Sequence, residues 1–370
     1  MERKLASVQR ILSIDPIEGA DAIEKATVLG WQVVVKKGEF NVGDLAVYFE
    51  IDSFLPIAEQ FEFLRKSCFK VLEGREGFRL KTIKLRKTLS QGLLLSLSIL
   101  PLKAIGTALE GLLTYQEGDD VTDILDVIKW EPPVPAQLAG KVKGSFPSFI
   151  PKTDEIRIQS CPLVLEEIKD IDYYITEKAD GTSMTVFIKT EEVEDEDGFK
   201  TLVDYSGVCS RNLELKKESE DEGNTYWQME KKYDIIEKLM QWSREYNKDY
   251  AVQCEVVGPG IQSNKLGLKE CEIRVFSLYN ITDNKYEGYE GLSIFCNTLD
   301  LPMVKVVGEG IWPSDMTVDK LLELAKGNYD SGHPREGIVI RPKKESYSME
   351  LRGRLSFKAI NNDFLLKEKE

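Results

Sequence analysis

Histidine occurs once in these 370 residues, at His333, and that scarcity removes a class of chemistry at the outset. Nucleophilic triads and Cys–His pairs need an imidazole to carry a proton, and this one lies in Gly332-His333-Pro334, which reads as a solvated turn. The cysteines, Cys68, Cys161, Cys209, Cys254, Cys271 and Cys296, are scattered and form no Cys-x-x-Cys unit. That spacing argues against a zinc site and against a disulfide framework, and leaves core thiols as the reading. No run of 18 apolar residues exists, and the longest candidate, Gly92 to Leu102, is broken by Ser96 and Ser98. Such a segment suits a buried strand better than a membrane span. The opening Met1-Glu2-Arg3-Lys4 lacks the apolar stretch of a secretory signal, so a cytoplasmic, intracellular protein away from membranes is expected. Both common glycine-rich phosphate grips are missing too: there is no G-x-x-x-x-G-K-[ST] and no G-x-G-x-x-G.

Positive charge is in deficit overall, with 49 basic against 63 acidic residues and a formal net charge of −14, which by itself argues against a polyanionic partner. The distribution reverses that argument. Arg65 to Lys87 holds nine basic residues and two acidic ones, while Glu191 to Asp197 packs six acids into seven residues and Glu218 to Glu222 adds more. The acidic runs read as solvated loop tips. The basic stretch, with Arg79, Lys81, Lys84, Arg86 and Lys87 at its end, is then either a surface that tracks phosphates or the charged face of an ordinary strand.

Proline and glycine mark the domain boundary. Glu131-Pro132-Pro133-Val134-Pro135 interrupts every regular pattern, so residues 131–150 read as a linker between a domain at 1–130 and another at 151–370. Strands are expected in the first domain at Lys4 to Ile14, Thr27 to Lys36, Leu45 to Ile51, Phe78 to Leu85 and Leu93 to Ile99, with a short helix at Asp119 to Lys129. Five short strands in about a hundred residues suit a small closed barrel of the oligonucleotide-binding (OB) type. In the second domain a single helix is expected from Thr225 to Tyr246, and others at Gly291 to Leu299 and Val318 to Lys326. Strands are expected at Ile171 to Thr176, Thr182 to Lys189, Tyr250 to Val257, Ile273 to Ile281, Gly337 to Arg341 and Leu355 to Ile360. The fold class is α+β.

Five charged pieces fall in order along the second domain: Lys178-Ala179-Asp180-Gly181, Ser210-Arg211-Asn212, Glu255, Glu336-Gly337 and Lys358. The tetrapeptide alone also fits a turn between two strands. Together the pieces suit a lysine that attacks the α-phosphate of a nucleotide. An ammonium is no nucleophile, so its pKa of about 10.4 must be lowered by burial or a nearby cation. Asp180, Glu255 and Glu336 supply the hard oxygens that magnesium or manganese prefers, directly or through water. Arg157, Arg211 and Lys358 would offset phosphate charge. Glu255 and Glu336 begin or flank apolar strands, where a carboxylate needs a partner, which favours a site role for both.

These strings resemble the motifs of the covalent nucleotidyltransferase superfamily of ATP-dependent ligases and capping enzymes. Lys178-Ala179-Asp180-Gly181 looks like motif I, Ser210-Arg211-Asn212 motif Ia and Gln253-Cys254-Glu255-Val256-Val257-Gly258 motif III. Ile273 to Tyr279 looks like motif IIIa, Glu336-Gly337-Ile338-Val339-Ile340-Arg341 motif IV, and Ser356-Phe357-Lys358-Ala359-Ile360-Asn361 motif V. With Trp31 to Pro56, the segment Phe146 to Asp154 and the single-lysine motif V, nearly the whole chain resembles the RNA ligase 5 family. The resemblance implies an N-terminal OB-type β-barrel followed by an antiparallel-sheet adenylation domain.

It further implies that Lys178 becomes the lysyl-adenylate and that Glu255 contacts the ribose and helps hold metal-bound water. Asp180 and Glu336 would organise a Mg2+ or Mn2+ ion, and Glu177 would lie near the adenine of ATP. Phe276 would sit near or under the base, although it fits a core position equally well. The implied partner of this monomer is nicked RNA or an RNA-containing duplex. Two features depart from the pattern: Ile360 stands where many relatives have a second motif V lysine, leaving a phosphate contact to Arg157 or Lys152, and the acidic insert Glu191 to Asp197 separates motifs I and Ia. An ATP-dependent DNA ligase or a GTP-using capping enzyme would share these motifs but place the OB domain after motif V. An RNA-binding protein with a degenerate transferase domain would not need every charged motif residue.

Overall fold

The computed structural model describes residues 3–101, 103–104, 112–113, 115–131, 140–194, 200–217 and 224–367. Most of the expected linker's prolines, the end of the acidic insert (195–197) and the acidic run Glu218 to Glu222 lie outside the described residues. The chain divides into two compact units. One comprises Met1–Pro133 with Ile158–Pro162 and Leu365–Glu370, the other Val134–Arg157 with Leu163–Phe364. Among the described residues no helix is long and apolar enough to cross a membrane.

The first unit is built on an antiparallel sheet whose strands run Leu93–Ser96, Leu45–Phe49, Ala6–Pro16, Ile23–Val28 and Trp31–Lys36 from edge to edge. Leu45–Phe49 has apolar side chains on both faces, as a strand covered on both sides should. Val47 and Phe49 join Val8, Leu55, Phe61 and Phe78 in one cluster. Ala46 and Tyr48 join Trp31, Val33 and Ile11 in another. A second sheet orders Ile128–Lys129, Ser53–Pro56, Arg75–Arg79 and Phe69–Leu72, and Thr82–Leu85 pairs with Thr88–Gln91 as a separate hairpin.

The strand count was therefore underestimated. Thr27 to Lys36 turns back at Leu29-Gly30, and Phe78 to Leu85 is two strands. The expected helix at Asp119 to Lys129 is instead a turn closed by the strand Ile128–Lys129. Val121 and Leu125 are buried as helical spacing demands, but Asp126 takes a left-handed backbone (φ 52°) and redirects the chain.

The second unit stacks two sheets. The larger runs Val142–Ser145, Leu213–Leu215, Lys200–Cys209, Thr182–Glu194, Tyr250–Val257, Glu272–Asn280, Lys285–Tyr286, and the smaller Ile156–Arg157, Phe357–Ile360, Gly337–Pro342, Asp172–Lys178, Val306–Ile311. Pairing is antiparallel through both, except that Ile156–Arg157 runs parallel to Phe357–Ile360. One face of the larger sheet, through Met184, Val186, Val252, Cys254, Ile273 and Val275, packs under Tyr226, Met229, Leu239 and Trp242 of two helices. These helices, Thr225–Tyr233 and Ile235–Tyr246, replace the single one expected. Asn224 caps the first through its side chain, and Asp234, left-handed at φ 52°, separates the two. The other two expected helices, Tyr289–Thr298 and Val318–Ala325, lie where periodicity places them.

The opposite face of that sheet is left for other work. Along it runs the segment 146–157: Phe149 packs on Phe187, the Pro151 carbonyl accepts from Gln253 Nε2 at 2.9 Å, and Thr153 meets Ser183 hydroxyl to hydroxyl at 3.0 Å.

Candidate active site

Lys178 is the last residue of Asp172–Lys178, and Thr182–Glu194 begins four residues later in the other sheet. The tetrapeptide Lys178-Ala179-Asp180-Gly181 is thus a crossing between sheets and not a hairpin turn. Gly181 is required by close approach: a Cβ there would overlap the Val256 carbonyl oxygen and lie 2.6 Å from Glu255 Cγ. The strand carrying Glu255 can come this near only because the side chain is absent.

Antiparallel pairing brings the next residue in. Lys178 is opposite Gly337, so Glu336 lies just beyond the end of the ladder, and its Oε1 is 2.7 Å from Lys178 Nζ. A Cβ on Gly337 would overlap the Ala359 carbonyl oxygen, which explains a glycine after this glutamate. Val339 pairs with Lys358, and Lys358 is also in register with Arg157 on its other side. Lys178 and Glu336 thus meet at the end of the ladder, and Lys358 and Arg157 share a rung two steps in, so one sheet carries four of the expected residues. Glu255 faces them from the larger sheet, in a row with Ser183 and Arg274.

The charges are strongly coupled. Burial works against the Lys178 ammonium, but Glu336 and Glu255 outweigh it and hold the amine above its ordinary pKa. Lys358 goes the other way: burial, reinforced by Lys178 and Arg157, lowers it to about 7. In this arrangement the depressed lysine is Lys358, whereas the chemical argument from sequence asks for depression at Lys178. Burial also pushes Glu255 up to about 7, with Lys178 opposing and Glu336 assisting. Asp180 is raised by burial and Glu336 against the pull of Lys265, whose Nζ stands 3.4 Å from Oδ2. Glu177, buried at the strand's penultimate position, is raised by burial against Lys305 and Arg335.

The remaining candidates lie around this group. Arg211 is ion-paired with Asp154, and its charge reaches Glu255. Phe276 is half-buried at a β-bulge: Gln253 pairs with Ser277 and Cys254 with Val275, leaving Phe276 as the extra residue. The extra residue lets Val275 and Leu278 share one buried face, and Phe276 is not part of that cluster. Its carbonyl accepts from Arg341 Nη1 at 2.8 Å. Lys152 donates to Asn212 Oδ1 at 3.1 Å.

In the other unit the basic stretch divides. Arg65 pairs with Glu62 and Arg75 with Asp126; Arg79 sits 3.9 Å from Asp52 with its guanidinium 4.9 Å from the Trp130 ring. Lys81 is half-buried, while Lys84, Arg86 and Lys87 are exposed on the hairpin, with Arg86 and Lys87 both left-handed at its tip.

Sequence reasoning passed over Lys265, which pairs with Asp180 and stacks 3.4 Å from the Phe364 ring, and Tyr329, whose hydroxyl touches the main chain of both Lys178 and Glu336. A lone aromatic within Gly327-Asn328-Tyr329-Asp330-Ser331-Gly332, otherwise all turn residues, was the available signal for the second.

Chemically, the group offers a primary amine, mutually repelling carboxylates and several cations. Among the described residues no three His, Cys, Asp or Glu side chains form a preformed metal cage. Even so, Asp180 Oδ2 is buried with the Lys265 ammonium 3.4 Å away, and Asp180 and Glu255 both feel the charge of Glu336. This donor set fits a hard divalent ion held partly through its own water.

Comparison with known proteins bears on both units. A family model described as RNA ligase matches residues 171–360, and one described as an OB-fold domain matches residues 5–97. Among solved structures, a Naegleria gruberi RNA ligase with pyrophosphate is 35% identical, with a TM-score of 0.80 and 98% of each chain covered. A mutant of that ligase with ATP and manganese is 35% identical at a TM-score of 0.79, over 98% of this chain and 97% of its own. Another mutant, with AMP and manganese, is 34% identical at 0.80, with 98% of each chain covered. No curated protein matches by sequence.

Proposed function

The chain belongs to the RNA ligase family, and from that premise we propose that Lys178 is the residue through which it takes AMP from ATP before sealing RNA ends. The observation that carries this reading is the Lys178–Glu336 pair, 2.7 Å apart, with Glu255 and Lys358 within electrostatic reach.

The reaction has three transfers. Lys178 Nζ, once deprotonated, attacks the α-phosphorus of ATP; the N–P bond forms as the bond to pyrophosphate breaks. A 5′-phosphate oxygen of the RNA then attacks the same phosphorus, releasing the lysine and giving an A(5′)pp(5′)N end. Finally a 3′-hydroxyl attacks the 5′-phosphate of that end, AMP leaves and the strand is closed.

The chain's own residues prepare the first transfer. Glu336 fixes Lys178 Nζ in position and holds its proton until attack. Lys358 and Arg157, opposite each other on neighbouring strands, are placed to take the phosphate charge, and Arg157 answers for the motif V lysine that Ile360 replaces. Glu177 and Phe276 serve the adenine, and Glu255 the ribose. Asp180, Glu255 and Glu336 would hold Mg2+ or Mn2+, whose charge, when bound, would weaken the carboxylates' grip on the Lys178 proton and stabilise the departing pyrophosphate. The OB-fold unit presents its hairpin cations Lys84, Arg86 and Lys87, together with Arg79 and Lys81, to the phosphates of a nicked duplex. The domains at 1–130 and 151–370 thus divide the work between grip and chemistry.

Incubating the protein with ATP labelled at the α-phosphate, and separately with labelled GTP and NAD, tests the assignment. ATP alone is expected to label wild type, and Lys178→Ala to abolish the band. A labelled Lys178→Ala protein would remove Lys178 from the role, and labelling by GTP or NAD in place of ATP would remove the ATP-dependent ligase reading.

A further inference from the structure

We infer that Tyr329 is a positioning residue for transfer of AMP to the lysine, its hydroxyl joining the main chain of the nucleophile to that of Glu336. The inference rests on the assignment of Lys178 as nucleophile. Tyr329 Oη donates to the Lys178 carbonyl at 2.8 Å and accepts from the Glu336 N–H at 3.0 Å, so one oxygen uses both its donor and an acceptor lone pair. The contact falls where the two strands part. Lys178 opposite Gly337 is the final pair of their ladder, and beyond it the chains lead to Asp180 on one side and into the 327–336 loop on the other.

Strand ends fray unless something ties them, and here the tie is a side chain buried to 3% exposure. The same two residues meet a second time through the 2.7 Å ion pair between their side chains. Main chain and side chain are therefore fixed at both ends, which sets where Lys178 Nζ stands relative to the carboxylate. The tyrosine is itself anchored: its N–H donates to the His333 carbonyl at 2.8 Å, and its carbonyl accepts from Gly332 at 2.9 Å. The far side of Glu336 is held too, by the Asn361 N–H at 2.9 Å, while Asn361 Nδ2 reaches the Arg335 carbonyl at 3.0 Å. Burial keeps the phenol proton on Oη, as the donor role requires.

Tyr329→Phe deletes one oxygen and keeps the ring. In single-turnover labelling of the full chain with ATP and magnesium, three quantities separate positioning from mere support of the fold. The rate constant at saturating ATP is expected to fall about tenfold or more, since small displacements of reacting groups are costly in rate. The ATP concentration giving half the maximal rate should stay within about twofold, and the final yield of protein–AMP should remain full. A purely structural role predicts the reverse: lower yield and melting temperature, with an unchanged rate constant in the molecules that fold. If Tyr329→Phe does not fold, Tyr329→4-fluorophenylalanine fills the volume of the lost oxygen and carries the same expectation. Tyr329→4-aminophenylalanine, with a donor and an acceptor in the same place, should restore the rate. A rate constant within twofold of wild type at full yield would overturn the inference, as would a loss seen only as weaker ATP saturation. Absence of labelling in wild type would instead overturn the assignment beneath it.

Discussion

Replacing Arg341 with methionine removes a buried cation that serves three partners at once. Its guanidinium donates to Ser356 Oγ (2.9 Å), the Phe276 carbonyl (2.8 Å) and Glu155 Oε1 (2.8 Å), and its side chain is 3% exposed. Methionine preserves the apolar stem, so the loss is electrostatic. Breaking a buried ion pair by removing one member costs about 3–5 kcal/mol, because the other charge stays behind. Arg354 still faces Glu155, which puts the expectation in the lower half of that range. At about 2–4 °C per kcal/mol for a unit of this size, melting should drop by about 6–16 °C.

The pH dependence distinguishes this cause from simple loss of packing. Burial pushes the Glu155 carboxyl up, but Arg341 and Arg354 outweigh it and hold it below its ordinary 4.5. A depressed carboxylate contributes its full stabilisation above the unfolded pKa and loses it as pH falls through the folded one. Without Arg341, Glu155 titrates higher and protonation relieves its burial, so the gap between wild type and variant should be widest near neutrality and narrow below about pH 5. Urea unfolding of wild type, Arg341→Met, Glu155→Gln and the double variant at pH 7 and pH 4.5 would read both quantities. A loss under about 1 kcal/mol at pH 7, or a gap indifferent to pH, would refute the reasoning.

Glu336→Ala and Lys358→Ala should each slow protein–AMP formation at least tenfold, about 1.4 kcal/mol in the barrier, with circular dichroism unchanged; near-wild-type rates in both would mean that strand-end charges have been mistaken for a site. Gly181→Ala should force the Glu255 strand outward, costing about 1–3 kcal/mol in denaturant unfolding and most of the adenylylation rate; a fully active, equally stable variant would disprove the close approach. Replacing Lys84, Arg86 and Lys87 by alanine should weaken binding of nicked duplex and flatten its salt dependence by about 0.9 for each phosphate no longer neutralised, while leaving protein–AMP formation intact. An unaltered salt slope would assign the hairpin some other role.

Much of the adenylation unit was legible from alternation and turn residues. The strand Tyr250–Val257 is as expected to the residue, and those holding Lys178, Phe276 and Lys358 differ only at their ends, because half-buried strands advertise their faces. The backbone reversals at Asp126 and Asp234 were not legible. Both are aspartates in left-handed conformation, which tertiary packing selects and local periodicity cannot express. Nor could spacing reveal that Lys178 and Lys358 share a sheet with opposite shifts in basicity, since register and burial decide those. The OB-fold unit was recognisable in type although its strands were undercounted, short strands with tight reversals being read as single runs.

The bulge at Phe276 separates two design problems that a regular strand would have merged. On either side of it the apolar phase of Glu272–Asn280 is set by its neighbours, Ile273 and Val275 before, Leu278 after. Position 276 belongs to neither phase. A change of size or polarity there leaves the register of the sheet and the packing beneath the helices untouched, so the side chain presented at 276 can drift, or be re-engineered, independently of the stability of the domain.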